Sequence, residues 1–269
     1  MGESYSGARR FLISDPDYLF AKEIAEYTKD GIFLDLACGD GCFTVPAASL
    51  GIKIIAGDIS NKMMRLLQER ASYNDVSLKK VTLARMNALA IPLADESVDT
   101  VVANGVLHLI SNPEKVIKEI WRVLKRGGAY LCLDDRPGQN VTTPFDNSHY
   151  FEIVNYLYQE YWKIINQKGI TPQKYSWKFD RNVTCDQIFQ SKTEKIIERN
   201  QPYEISLDEG FLPRLMGKGF SDQVSIPNDI HQESVEKVLN QAKEKFGVDF
   251  GKVTFKGIED NLIVTIFIK

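Results

Sequence analysis

Short apolar runs alternate with amphipathic stretches between residues 32 and 135, and that alternation limits the fold more than any other feature of the chain. The runs "IFLDLA" (32–37), "KIIAGD" (53–58), "KKVTLARM" (79–86), "SVDTVVAN" (97–104) and "AYLCLDD" (129–135) have the length of strands. Between them "FTVPAASLG" (43–51), "SNKMMRLLQERASYN" (60–74) and "SNPEKVIKEIWRVLKRGG" (111–128) read as helices. The last of these is opened by Ser111 with Glu114 in capping-box spacing and closed by Gly127-Gly128. Ahead of the first strand, Leu19, Phe20, Ile24 and Tyr27 recur at helical spacing from Asp17 to about Lys29, and Gly31 stops the pattern. Strands joined by helical crossovers build a parallel sheet, so the class is α/β.

The rhythm breaks at Arg136-Pro137-Gly138. A stretch rich in aromatics follows (Tyr150, Phe151, Tyr156, Tyr158, Tyr161, Trp162, Tyr175, Trp177), helical in part and without strand–helix alternation. It is expected to be an inserted cap, residues 137–202, on a core made of residues 1–136 and 203–269. The core pattern resumes with "SLDEGFLPRLMGKG", where Ser206 and Glu209 form a second capping box, and continues with a strand "FSDQVSIP", a helix "QESVEKVLNQAKEKFG" and a final strand "NLIVTIFIK".

A hydrophobic content of 43% supplies a full core, while a formal charge of −3 gives no positive field for a polyanion, so nucleic acid is not an expected partner. The N-terminal "MGESYSGARR" lacks the apolar centre of a signal peptide, and no apolar run has the length of a membrane span. A cytoplasmic protein is expected. Cys38, Cys42, Cys132 and Cys185 are too scattered for a disulfide framework, and Cys38 and Cys42 have neither metal-site nor C-x-x-C spacing, so they read as packing residues and no metal site is expected.

In an open parallel sheet the ligand sits at the carboxyl ends of the strands, which points to the turn in "FLDLACGDGCF" (33–43). Gly39 and Gly41 let backbone approach a ligand closely. A dinucleotide fingerprint needs a third glycine where this chain has Thr44, and a phosphate-binding P-loop needs a Lys-Ser/Thr pair that is absent. Thr44, together with acidic Asp40 inside the loop, disfavours a nicotinamide dehydrogenase. Asp35 and Asp40 favour a positive group and the backbone N–H groups a carboxylate, which together describe an amino acid. Asp58, ending the second strand, is placed to accept bonds from both hydroxyls of a ribose, although a helix N-terminal charge with Ser60 as cap would also explain it.

"LDLACGDGCF", "IAGDISNKMMRLL", "MNALAIPLADESVDTVVANGVLHLI" and "VIKEIWRVLKRGGAYL" follow one another over most of residues 33–134. In order and spacing they resemble the class I S-adenosylmethionine-dependent methyltransferases, in particular the small-molecule branch that includes ubiquinone/menaquinone biosynthesis enzymes. The resemblance implies a Rossmann-like, doubly wound, mostly parallel seven-stranded sheet with an antiparallel last strand. It also implies S-adenosyl-L-methionine as cofactor, S-adenosyl-L-homocysteine as its product, and a small-molecule acceptor. By position, Asp35, Gly39 and Gly41 would line the methionine end, Asp58 would hold the ribose, and Ile59 and Met63 would flank the adenine. Asn87 and Ala88 stand where the family usually has Asp-Ala. There the side chain reads the adenine amino group and the backbone N–H a ring nitrogen; Asn87 can accept the same bond more weakly. Asn104 and Leu107 would close the floor.

Because the sulfonium already activates the methyl group, alignment and exclusion of water are the protein's main tasks. His108 and Asp135 are the candidate bases, with His149 and Tyr150 at the start of the cap. The aromatic insertion suits an apolar or planar acceptor. A non-catalytic protein that binds the same cofactor for regulation is the alternative.

Overall fold

The computed structural model describes residues 15–134, 146–171, 179–198, 202–217, 223, 225–258 and 261–269. Along the chain the elements are α1 (Pro16–Thr28), β1 (Ile32–Leu36), α2 (Thr44–Ser49), β2 (Lys53–Asp58), α3 (Asn61–Tyr73), β3 (Val81–Arg85), β4 (Val98–Val102), α4 (Pro113–Val123) and β5 (Leu124–Asp134). They continue with α5 (Ser148–Gln167), α6 (Arg181–Ile188), β6 (Ser191–Ile197), β7 (Pro202–Ser206), α7 (Phe211–Met216), α8 (Asn228–Phe246), β8 (Thr254–Ile258) and β9 (Leu262–Ile268). The chain divides into two units, one of residues 1–135, 175–198 and 262–269, the other of residues 136–174 and 199–261.

The first unit is built on a seven-stranded sheet in the order β3-β2-β1-β4-β5-β9-β6. Strands β1 to β5 pair in parallel, and β9 runs antiparallel to both β5 and β6. Side chains alternate between faces along each strand, so Phe33, Ile54, Val102, Leu131 and Ile266 meet α1, α2 and α3 on one side. Leu34, Val101, Tyr130 and Phe267 meet α4 and α6 on the other. This is the doubly wound sheet expected from the sequence. Each large side chain buried here contributes roughly 1.5–3 kcal/mol, against about 0–1 kcal/mol for an exposed ion pair, so the two apolar layers hold the sheet together.

Several boundaries differ from expectation for local reasons. Helix α4 starts on Asn112, whose side chain accepts from Lys115 N at 3.1 Å, rather than on a Ser111–Glu114 box. It ends at Val123, because Leu124 already pairs with Val98; four residues of β5, Lys125 to Gly128, then oppose Asp99 alone on β4, since Ala129 pairs with Thr100. Gly128 belongs to that bulge, where a Cβ would lie 2.8 Å from Lys125 O and 2.9 Å from Asp99 O. The Ser206–Glu209 box forms, with Glu209 Oε2 accepting from Ser206 Oγ at 2.9 Å, although α7 begins beyond it.

The cap boundaries are the larger difference. Strand β6, inside the stretch expected as cap, is a sheet edge; its "SKTEKII" faces solvent through Ser191, Lys192, Thr193 and Glu194 and so lacks apolar alternation. Conversely, residues 203–261, expected to return to the core, belong to the second unit. Of the expected strand "FSDQVSIP", half lies outside the described residues, and Pro227 caps α8.

The second unit has its own core, in which Ile153, Leu157, Tyr161 and Ile165 of α5 pack with Leu207, Leu215, Val238 and Phe250. Strands β7 and β8 form a separate antiparallel pair. Asn147 binds both backbone groups of Lys256 at 2.8 Å. The cap aromatics mostly serve this packing. Tyr161 is buried and meets His231 Nδ1 at 2.7 Å, Tyr156 meets Phe246 edge-on, and Tyr150 and Phe151 meet Phe255. Tyr175 and Trp177 lie outside the described residues.

On β5, the ring of Tyr130 stacks on Phe189 and Phe267, which also meet each other, and its hydroxyl is buried with no hydrogen-bond partner among the described residues. Burial pushes that hydroxyl's pKa well up, so it stays protonated. Tyr130→Phe is expected to stabilise the fold by about 1 kcal/mol by removing an unsatisfied buried group. Chemical denaturation of the two proteins measures this, and a destabilised variant would show that the hydroxyl has a partner.

Candidate functional site

In this strand order β1 lies between β2 and β4, and the chain winds away from it in opposite directions on its two sides. The carboxyl ends of β1, β2, β3 and β4 therefore open on one crevice, and the expected site residues stand along it. Asp35 is the fourth residue of β1, Asp58 ends β2, Asn87 and Ala88 follow β3, and Asn104 follows β4.

The turn after β1 is held from several sides. Cys38 N donates to Gly57 O of β2 at 3.0 Å, and Gly41 N to Cys38 O at 2.9 Å. Asp58 joins the turn to the start of α3: Oδ2 accepts from Gly39 N at 3.0 Å and Oδ1 from Ser60 N at 2.7 Å. Ser60 is also the cap of α3, accepting from Met63 N at 3.4 Å. The bond to Ser60 N is the helix-start role weighed as the alternative for Asp58, and the bond to Gly39 N adds a hold on the turn. A carboxylate has about four lone-pair sites, so acceptor capacity remains.

The two glycines of the turn differ. At Gly39, φ is +55° and a Cβ would meet nothing within 4 Å among the described residues, so among these the backbone is open. At Gly41, φ is +81° and a Cβ would lie 2.6 Å from Leu67 Cγ, so that glycine lets the turn pack on α3. Ala37 also has a positive φ, +60°, a conformation that costs a residue with a Cβ about 1 kcal/mol or more.

Asp35 is 2% exposed and accepts from Thr44 Oγ1 at 2.5 Å. Burial pushes its carboxyl up to about 7, against the Thr44 side-chain and backbone bonds that lower it, with Asp58 and Asp40 adding to the rise. A cation brought to this carboxylate restores its charge. Asp40, expected to share that task, is instead paired with Arg70 of α3 at 3.0 Å. Thr44 and Arg70 were not anticipated; Thr44 entered only as a missing glycine, and Arg70 lay in a polar helix stretch.

Beyond β3, Asn87 is exposed and its Oδ1 accepts from Leu89 N at 3.0 Å, which shapes a turn beside buried Ala88. This segment is clamped by α4, another feature not anticipated. Glu119 Oε2 accepts from Ile91 N, and Arg122 donates to Ile91 O and Leu93 O, all at 2.8 Å. Ile59 is 62% exposed beside Asp58, Met63 is half-buried, and Leu107 packs in the sheet's lower layer. His108, in a 3₁₀ turn after β4, is half-buried, and burial holds its pKa below the usual imidazole value. Asp135 lies outside the described residues, and His149 is exposed beside Glu152. Burial raises the thiol pKa of Cys38 and Cys42, which pack with the apolar layer as expected of filler residues.

A buried acid for an ammonium group, open backbone at Gly39, a carboxylate at the end of β2 and an exposed apolar side chain next to it fit an amino acid joined to a nucleoside. The comparisons agree. Residues 34–132 match the family model described as a methyltransferase domain. The chain is 30% identical over 139 residues to the demethylmenaquinone methyltransferase of Lactiplantibacillus plantarum, covering 48% of this chain and 58% of that protein. It is 30% identical over 125 residues to the ubiquinone/menaquinone biosynthesis C-methyltransferase UbiE of Pasteurella multocida, covering 45% of this chain and 46% of that protein. The chain spans about half the length of the curated relatives it matches. In fold it is similar to the YcgJ protein of Bacillus subtilis, with a TM-score of 0.52 at 17% identity over 94% of this chain and 98% of that one. The β1–β5 segment thus matches a methyltransferase domain, as its motifs suggested.

The raised pKa of Asp35 has a definite sign. Its ionisation costs the ligand-free fold nothing below about pH 4, and the cost grows until it is complete above about pH 7. A ligand ammonium reverses the shift. Binding of S-adenosylhomocysteine is therefore expected to tighten by up to about tenfold per unit between pH 5.5 and 7. In Asp35→Asn that dependence should be lost and the ligand-free protein at pH 8 should be more stable, by on the order of 2 kcal/mol. Titration calorimetry and melting curves across this range check both, and a pH-independent affinity in the unaltered protein counts against Asp35 as the partner of the ammonium.

Proposed function

We propose that this chain transfers the methyl group of S-adenosylmethionine to a small, apolar or aromatic acceptor. The observation that carries the proposal is the pairing of buried Asp35 with Asp58 on either side of the open Gly39 turn, inside the matched domain. Asp35 and Gly39 would hold the methionine end, Asp58 the ribose, and Ile59, Met63, Asn87 and Ala88 the adenine, with Gly41 shaping the turn and Asn104 and Leu107 beneath. The cofactor supplies an electrophilic methyl group when bound. What the chain supplies is orientation of the acceptor and exclusion of water.

His108 is the favoured base, because its lowered pKa keeps a neutral imidazole ready to accept a proton at neutral pH. Asp135 is the second candidate. The aromatic stretch within residues 137–202 is assigned to acceptor binding. The names of the relatives, which act on demethylmenaquinone or in ubiquinone and menaquinone biosynthesis, favour a reduced, quinone-like ring as acceptor. No described helix is long and apolar enough to cross a membrane. The four cysteines form no disulfide, which favours a reducing, cytoplasmic setting.

Isothermal titration should show S-adenosylhomocysteine binding that weakens at least about tenfold in Asp58→Ala, equivalent to about 1.4 kcal/mol. A panel of hydroxylated aromatic compounds and quinols, assayed with labelled cofactor, should yield a methylated product whose formation slows in His108→Ala. Intact cofactor binding without methyl transfer to any member would move the assignment to a regulatory binder.

A further inference from the structure

Helix α3 grips the turn after β1 through two side chains on one face. Leu67 lies where a Cβ on Gly41 would sit, and Arg70, one turn further on, bonds Asp40 Oδ2 through Nη1 at 3.0 Å. The second nitrogen of the same guanidinium, Nη2, reaches Asp17 of α1 at 3.4 Å. The Arg70 side chain is 10% exposed, and its Nε is buried without a partner among the described residues. An arginine in that setting is an expensive way to fill space, since an apolar side chain would pack there without a desolvation cost. What it does is fix Asp40, the residue between Gly39 and Gly41. Fixing Asp40 sets the direction of the Gly39 backbone, whose N–H reaches Asp58. The pairing also neutralises Asp40, which leaves Asp35 as the carboxylate for a ligand cation.

We propose that Arg70 is a positioning residue for the methionine end of the cofactor: it holds the Gly39–Gly41 turn through Asp40 and touches no ligand itself. The proposal rests on the S-adenosylmethionine assignment above and adds a division of labour to it. The amino acid part of the ligand depends on Arg70, whereas the adenosine part depends on Asp58 and on the segment that Glu119 and Arg122 clamp.

Two probes separate these parts. S-adenosylhomocysteine carries adenosine and the amino acid; 5′-methylthioadenosine carries adenosine and sulfur without the amino acid. In Arg70→Met, the affinity for S-adenosylhomocysteine should fall roughly tenfold or more while that for methylthioadenosine stays within about twofold. Arg70→Lys, which keeps one charged donor, should recover part of the loss. Asp40→Asn leaves the helix intact and should show the same selectivity if Arg70→Met does not fold. Adding Arg70→Met to Asp40→Asn should cost little more, because both changes break one contact. Equal losses for both ligands, or no loss for either, would overturn the proposal. Failure of the unaltered protein to bind either ligand would instead sink the cofactor assignment beneath it.

Discussion

Asp35 lies 2% exposed on the strand where the sheet changes winding direction, and a carboxyl group there cannot ionise cheaply unless donors or a cation face it. Much of the surrounding structure answers that requirement. Thr44 gives it a hydroxyl at the start of α2, and the turn between is drawn back toward β2 by the Cys38–Gly57 and Gly39–Asp58 bonds. Donors alone do not restore the ordinary acidity, since the group still titrates near 7. The remaining deficit is what a cationic ligand can fill. The ligand-free fold thus carries an unmet electrostatic demand at this end of the crevice.

The parts of the molecule visible in the sequence are those written in the side-chain alternation of buried strands. β1, β2, β4, β5 and β9 each place apolar residues on two covered faces, so "IFLDL" or "LIVTIFI" has few other ways to fold, and β3, at the sheet edge, was marked by its place in the strand–helix rhythm. β6 escaped because one of its edges has no neighbour and its side chains meet water; "SKTEKII" carries no strand period. The extent of the second unit was hidden for a related reason. α7 and α8 are ordinary amphipathic helices, and nothing in an apolar stripe says which core will receive it.

The same contrast runs through the candidate site. Asp35, Asp58 and the two glycines stand at strand ends that the pattern locates, so they were found by position. Thr44, Arg70, Glu119 and Arg122 act across sequence distances set by packing: Arg70 meets a partner 30 residues away, and Arg122 reaches Ile91 O at a separation of 31. Asn87 shows the reverse limit. Its place in the motif was legible, but its bond to Leu89 N follows from a local turn that the motif alone does not reveal.

One consequence of the topology concerns the order in which the molecule can be made. β9 lies between β5 and β6 in the sheet, yet it follows both in the chain, with most of the second unit inserted before it. On the ribosome, β5 is finished long before its neighbour exists, and its apolar edge, Ala129 to Leu133, has to wait while more than a hundred residues are added. β6 has no strand to pair with until β9 arrives. The nascent sheet therefore carries an open seam between β5 and β6 that closes only once β9 has been made.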